Sequence, residues 1–404
     1  MRRRRWKRVL IGAFAGCAVL VDAGAAAAQA AASTEQVAIA TPPAGSAAWV
    51  QDHSLGRALP DPATTSAGTV ATFFASLKPA ELDRLLTEYP LVVGNFDGAP
   101  LDVRYRANRV AVAAERERAR ARAADHSLDS AERALAVSRA NDCDHLLQAG
   151  RQILAFDPRG RGLVSEVFGD LARAQRVSVL VPGSDADLGH HDQASEPLRS
   201  PAGMARALLA EEQRQAPDTV SAVVAWTGYV TPSGLGPDAV TSRLADVAAP
   251  RLERLLGGLK ETTAPAAPPA LFCHSYGSVV CGIAAPDIPP ATGADGEPAG
   301  ITDVVVFGSP GMGVESAAEL GGGVQVWATR NPTDWIGNVP YLEFGGLGHG
   351  ADPTGGGFGA EEISSSGAAG HNGYLATGTH SLQNFASIAL GHYRAVSHTL
   401  PAQS

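Results

Sequence analysis

The sequence predicts an α/β protein: a mostly parallel sheet covered by helices on both faces, preceded by a helical N-terminal region. Three observations carry this expectation. From residue 152 onward, short apolar runs alternate with longer stretches that read as helices. The runs at 177–181 and 304–307 are nearly continuous in Val, Leu and Phe, as strands buried on both faces are. Between residues 70 and 148, in contrast, apolar residues recur at helical spacing.

Arg2 to Arg5, Lys7 and Arg8 precede an apolar stretch at 9–21, and Ala28-Gln29-Ala30 supplies small residues around a cleavage point. That stretch is shorter than the ~20 residues a bilayer span needs, so residues 1–30 read as an export signal and no stable transmembrane anchor is expected. Residues 31–68, rich in Ala, Ser, Thr, Pro and Gly, read as a flexible leader. Residues 69–150 form the helical region and 151–404 the α/β domain.

Within the helical region apolar residues recur at helical spacing over 70–86, with Pro79 suited to a helix first turn. A turn-rich connector follows at 92–100. The Arg- and Ala-rich stretch 103–125 predicts a long, largely solvated helix. Residues 130–148 predict another, capped by Ser130. The α/β domain opens with a hairpin, strands at 153–157 and 163–168 around Pro158-Arg159-Gly160-Arg161-Gly162. Further strands are expected at 176–181, 219–226, 270–273, 303–307, 324–328 and 361–364. Helices are expected at 202–214, 239–259 and after Ser275, with a closing helix at 380–392.

Composition narrows the function classes. The chain has 404 residues, 45% of them hydrophobic, and a net charge of −9. Loss of residues 1–30 removes six basic residues and one acid, leaving −14. Such a body repels phosphate backbones, so nucleic acid is not an expected partner. Of four cysteines, Cys17 falls in the export signal. Cys273 and Cys281 flank one strand–turn–helix and read as too local to pair comfortably, which leaves either open to Cys143. No C-x-x-C is present, and neither a metal nor a cofactor is expected.

The stretch Leu271-Phe272-Cys273-His274-Ser275-Tyr276-Gly277-Ser278 bears the chemistry. A serine on a strand-to-helix turn has its hydroxyl exposed beside the donors of a helix N-terminus. Gly277 meets the crowding of such a turn, whereas Cys273 stands where a second glycine is expected. Serine needs a base to take its proton and a carboxylate to orient that base. In an α/β-hydrolase arrangement these follow in the order Ser, Asp or Glu, His.

Asp334 lies in the loop after the strand at 324–328, at its carboxyl end, and is the preferred acid. Asp303 opens a strand, and Glu315, Glu319 and Asp352 are lesser rivals. Of five later histidines, His371 alone follows the last strand in a Gly-flanked loop, so it is the preferred base over His349, His380, His392 and His398. Backbone N–H groups of Tyr276, Gly183 and Ser184 are expected to form the oxyanion hole. Trp226, Tyr229 and His274 are candidate pocket residues, although Trp226 fits plain core equally well. His190 and His191 are expected in a loop near the site mouth, because adjacent histidines suit joint metal ligation poorly.

With these residues in view, the chain resembles the actinobacterial α/β-hydrolase family once called domain of unknown function 1023. The resemblance spans roughly residues 70–392. It rests on Val93-Gly94-Asn95-Phe96-Asp97-Gly98, Arg104 to Arg109, Leu154-Ala155-Phe156-Asp157-Pro158, Val179-Leu180-Val181-Pro182-Gly183 and Ala225-Trp226-Thr227-Gly228-Tyr229. It continues in His274-Ser275-Tyr276-Gly277-Ser278, Gly308-Ser309-Pro310-Gly311 and Gly348-His349-Gly350-Ala351-Asp352-Pro353. It implies the α/β-hydrolase fold and a serine hydrolase, with the nucleophile falling on Ser275, the acid on Asp334 and the base on His371. The resulting expectation is an exported enzyme acting on a small ester or lipid-like substrate through an acyl-enzyme. Amide cleavage by the same groups, or a non-catalytic binding module at the cell envelope, are the alternatives.

Overall fold

Alternating strands and helices require a sheet held between helical layers. That is the architecture of the computed structural model, which describes residues 35–263, 265–289, 300–321 and 323–399. The expected export signal lies outside the described residues.

Helices come first: α1 (Ser46–Gln51), α2 (Ala67–Ala75), α3 (Pro79–Glu88), α4 (Pro90–Gly94), α5 (Leu101–Ala123) and α6 (Ser130–Leu146). The helical spacing over 70–86 resolves into two helices, α2 and α3, with Pro79 opening the second as expected. Pro79 lacks the N–H needed to continue a helix but suits the first position of the next. The connector at 92–100 contains the end of α4. The cap of α6 is Asp129, not Ser130. Its carboxylate accepts the Glu132 N–H at 2.8 Å, and Glu132 reaches back to the Asp129 N–H at 3.3 Å, a reciprocal pairing that satisfies two otherwise orphaned donors.

Two expectations about this region are corrected. Residues 35–68 are not a loose leader. Trp49 is buried beside Phe73, Tyr89 and Phe96, and its indole N–H donates to the Pro60 carbonyl at 2.6 Å. Burying such a ring contributes about 2–3 kcal/mol, and one aromatic anchor outweighs a composition that reads as linker. Nor is α5 largely solvated, since Arg104, Ala107, Asn108, Ala111 and Val112 are all buried. Arg104 pairs with Asp97 at 3.0 Å and donates to the Gly94 and Leu154 carbonyls. Asn108 donates to the Gly94 and Ile153 carbonyls. Polar side chains therefore help dock α5, a role that hydropathy does not display.

The sheet follows: β1 (Gln152–Asp157), β2 (Leu163–Gly169), β3 (Arg176–Val181), α7 (Pro201–Gln215), β4 (Ser221–Thr227), α8 (Arg243–Thr262), β5 (Ala270–His274), α9 (Gly277–Ala284), β6 (Asp303–Phe307) and β7 (Gln325–Thr329). A small hairpin of β8 (Glu343–Phe344) and β9 (Leu347–Gly348) precedes β10 (Glu361–Glu362) and α10 (His380–Ala389). The strand order is β1-β2-β4-β3-β5-β6-β7-β10. β2 runs antiparallel to both neighbours, and the remaining pairs are parallel. The strand expected at 361–364 keeps only two residues in the ladder, because Ile363 turns away to bridge His398.

Period-two alternation divides the core. Val179, Leu271 and Val304 face the layer containing α8 and α9, while Leu180, Phe272 and Val305 face α7 and α10. Both faces are covered, which explains the unbroken apolar runs of the parallel strands.

The cysteine pairing also departs from expectation. Cys273 is bonded to Cys281, and Cys143 is free and buried. The turn at Ser275 folds α9 back against β5 and brings the two Cα atoms to 6.5 Å, within disulfide reach. Closing so short a loop stabilises the fold by about 2–3 kcal/mol in the chain-entropy account. Cys281→Ser is accordingly expected to lower unfolding stability in denaturant by about that amount. A midpoint equal to that of the parent chain would show that the bond constrains little.

Candidate active site

The site begins with a backbone reversal. Ser275 follows β5 and precedes α9 with φ of 53°, a left-handed conformation rare for a residue with a side chain and costing about 1–2 kcal/mol. Surrounding contacts impose it. The Ser275 N–H donates to the Phe307 carbonyl at 3.0 Å, and the Ser275 carbonyl accepts the Ser278 N–H at 2.9 Å. A Cβ on Gly277 would lie 2.3 Å from the Val181 oxygen, and one on Gly183 would lie 2.5 Å from the Ser275 Cβ. Only glycine allows the end of β3 to approach the turn so closely. Cys273 points into the core, where the disulfide occupies it.

His371, in the loop between β10 and α10, places Nε2 at 2.9 Å from the Ser275 hydroxyl oxygen. Its Nδ1 lies 2.9 and 3.1 Å from the two carboxylate oxygens of Asp334. Asp334 follows β7 and caps a short turn at Trp335–Asn338, accepting the Ile336 N–H at 3.0 Å. The Tyr374 hydroxyl donates to its other oxygen at 2.6 Å. Burial alone would raise the Asp334 pKa. Hydrogen bonds from His371, Tyr374 and the Ile336 N–H outweigh burial and hold the carboxyl below its ordinary range. The anion therefore persists at neutral pH and favours the tautomer with hydrogen on Nδ1, leaving Nε2 free to accept from Ser275.

A second layer of contacts holds the His371 loop. His274 donates from Nε2 to the His371 carbonyl at 2.9 Å, and its ring packs between Phe307 and His371. Burial pushes its pKa down to about 3, so this imidazole is a neutral positioning group. Asn331 donates to the Gly370 carbonyl at 2.7 Å, and the Gly370 N–H donates to Thr333 at 2.8 Å. Tyr374 and Asn331 were not singled out in the sequence. Their nearness in the chain to His371 and Asp334 was the available signal. Trp335, 39% exposed, has its ring centroid 4.8 Å from that of His371 and stands at the rim.

The N–H of Tyr276 opens α9, and those of Gly183 and Ser184 follow β3. None of the three donates to an acceptor among the described residues. The Tyr276 side chain points elsewhere, donating to the Thr241 carbonyl at 2.7 Å.

The expected pocket residues have other places. Trp226 and Tyr229 are buried and stacked on each other, and the Tyr229 hydroxyl donates to the Pro182 carbonyl at 2.6 Å. Tyr229 and the buried His274 support the elbow and the loop beside it, and Trp226 packs against Tyr229, because large rings at strand ends fill core first. His191 is likewise not at a site mouth. It is buried, with Nε2 2.9 Å from Glu166, while His190 pairs with Asp187 at 2.7 Å. Among the rivals, His349 is tied to the Ala239 carbonyl, Asp303 accepts the Trp327 indole N–H, and Asp352 pairs with Arg330. His380, His392 and His398 are exposed. Among the described residues no three His, Cys, Asp or Glu side chains converge as a metal site would require.

A serine on a strand–turn–helix at the carboxyl end of a central parallel strand, met by His and Asp from later loops, is the architecture of the α/β-hydrolase fold, and this chain has that fold. Residues 157–344 match the family model described as "Alpha/beta hydrolase". An uncharacterized protein of Mycobacterium tuberculosis is 27% identical over 392 residues, covering 83% of this chain and 57% of the relative. An uncharacterized protein of Mycobacterium bovis is 34% identical over 174 residues, covering 41% of this chain and 59% of the relative. The chain thus spans less than two thirds of the length of these curated relatives. Similar solved structures include esterase PE8, with TM-score 0.27, 16% identity and coverage of 44% of this chain and 78% of that one. A truncated carbohydrate esterase from gut microbiota gives TM-score 0.32, 12% identity and coverage of 57% and 91%. No helix among the described residues is long and apolar enough to cross a membrane.

Proposed function

We propose that the protein is an exported serine hydrolase cleaving carboxylic esters through an acyl-enzyme, within the actinobacterial family its motifs resemble. The carrying observation is the 2.9 Å contact between His371 Nε2 and Ser275 Oγ, with Asp334 on the far side of the ring. His371 takes the hydroxyl proton as the serine oxygen bonds to the ester carbonyl carbon. The resulting oxyanion is received by the N–H of Tyr276 with those of Gly183 and Ser184. Collapse expels the alcohol, which leaves with the proton from Nε2. Water then enters by the same base, and the acid leaves with Ser275 restored. Export is part of the proposal and rests on the basic and apolar stretches within residues 1–30.

A fluorophosphonate probe tests the chemistry, because it reacts only with an activated serine. The expected result is stoichiometric labelling at Ser275, absent in Ser275→Ala. An intact, folded chain that takes up no label would overturn the proposal.

A further inference from the structure

Several of the motifs that set this sequence apart do not touch Ser275. Asn95, Asp97, Arg104, Ala155, Trp226 and Gly228 meet instead around a cavity of about 130 Å³ against α8. A neighbouring cavity of about 230 Å³ shares Pro62, Asn95, Asp97 and Arg254 with it. Residues 40–43 and 62–63 form part of the wall, so the ordered N-terminal segment helps enclose the space. Neither cavity is lined by Ser275, Asp334 or His371, and β4 stands two strands from β5, about 10 Å across the sheet.

The lining charges do not balance. Arg104, Arg251 and Arg254 face Asp97 as the sole acid of the lining. Asp97 is already taken by Arg104 at 3.0 Å. Arg251 donates only to carbonyls, those of Gly228 and Ile39. The nearby Asp157 is engaged by Arg159. Arg254 makes no hydrogen bond or ion pair among the described residues. Burial lowers the pKa of Arg251, and the charges of Asp157 and Asp97 offset that only in part. Among the described residues Arg251 has no carboxylate within hydrogen-bonding reach, and the exposed Arg254 presents its donors beside the same cavity, a local excess of positive charge that an entering anion would balance.

We propose that these joined cavities bind a small molecule bearing a carboxylate or phosphate group, held by the guanidinium groups of Arg251 and Arg254. A planar guanidinium fork matches either group in a two-point hydrogen bond. The smaller cavity, where Arg104, Arg251 and Arg254 meet, suits a compact anion better than an acyl chain. This site is separate from the serine chemistry and does not depend on it.

Calorimetric titration of the whole chain with inorganic phosphate and with succinate, at ionic strength matched by chloride, tests the assignment. Saturable binding of either probe is expected, and the stronger one identifies the source of the anion. Arg254→Gln, an exposed substitution, should weaken that binding about tenfold or more, equivalent to at least 1.4 kcal/mol, without moving the unfolding midpoint or ester turnover. Arg251→Gln should weaken it as much; should that variant fail to fold, Arg254→Gln decides alone. Ser275→Ala should bind like the parent chain, so loss of the hydrolase reading and loss of this one are distinguishable. No saturable heat with either probe, or unchanged affinity in Arg254→Gln, would overturn the proposal.

Discussion

Replacing His371 by alanine is expected to lower ester turnover on the order of 10⁶-fold, the scale seen when a triad base is removed. The Ser275 hydroxyl is then left without a proton acceptor, and an unassisted alcohol is a poor nucleophile. No other histidine can substitute, since His274 is neutral, buried and committed to the His371 backbone carbonyl, and His349 is tied to Ala239. The fold should survive, because the bond from His274 goes to a main-chain oxygen that alanine retains. The check is kcat for a short-chain aryl ester alongside the unfolding midpoint. Turnover within tenfold of the parent in a folded variant would mean that another group acts as the base.

Asp334→Asn is expected to cost about 10⁴ in kcat with the fold intact. Asparagine keeps one oxygen for the Ile336 N–H, so the turn it caps remains, while its amide nitrogen takes the place of the oxygen that faces Tyr374 and His371. Its amide N–H₂ can then face His371 Nδ1, which would favour the tautomer with hydrogen on Nε2. That nitrogen faces Ser275 at 2.9 Å and could no longer accept its proton. The negative charge opposite the forming imidazolium is lost as well. A loss confined to KM would contradict this account, because the carboxylate acts on the transition state and not on ground-state binding.

Much of the framework was legible in the residues because its causes are local. The buried parallel strands could be read as unbroken apolar runs, and the turn at Ser275 from a strand leading into small residues. Asp334 and His371 were singled out by their place after strands, and the structure brings both to Ser275. The misreadings share one origin. Trp49 in a linker-like stretch, the buried polar face of α5 and the inward His191 are all fixed by partners far away in the chain. So is Tyr229, whose hydroxyl is held by the distant Pro182 carbonyl. Composition and periodicity report what a residue prefers, not which distant carbonyl or carboxylate awaits it.

By itself the sequence determined the layered α/β class, the order of most elements and the serine-bearing turn, because hydropathic period and glycine requirements act over a few residues. Only the tertiary structure decided that Cys273 joins Cys281, that Tyr374 and Asn331 hold the acid and base loops, and that Arg251 and Arg254 share a cavity. Each of those depends on chain reversals or packed layers that bring groups within a few ångströms, and spacing along the chain does not encode such distances.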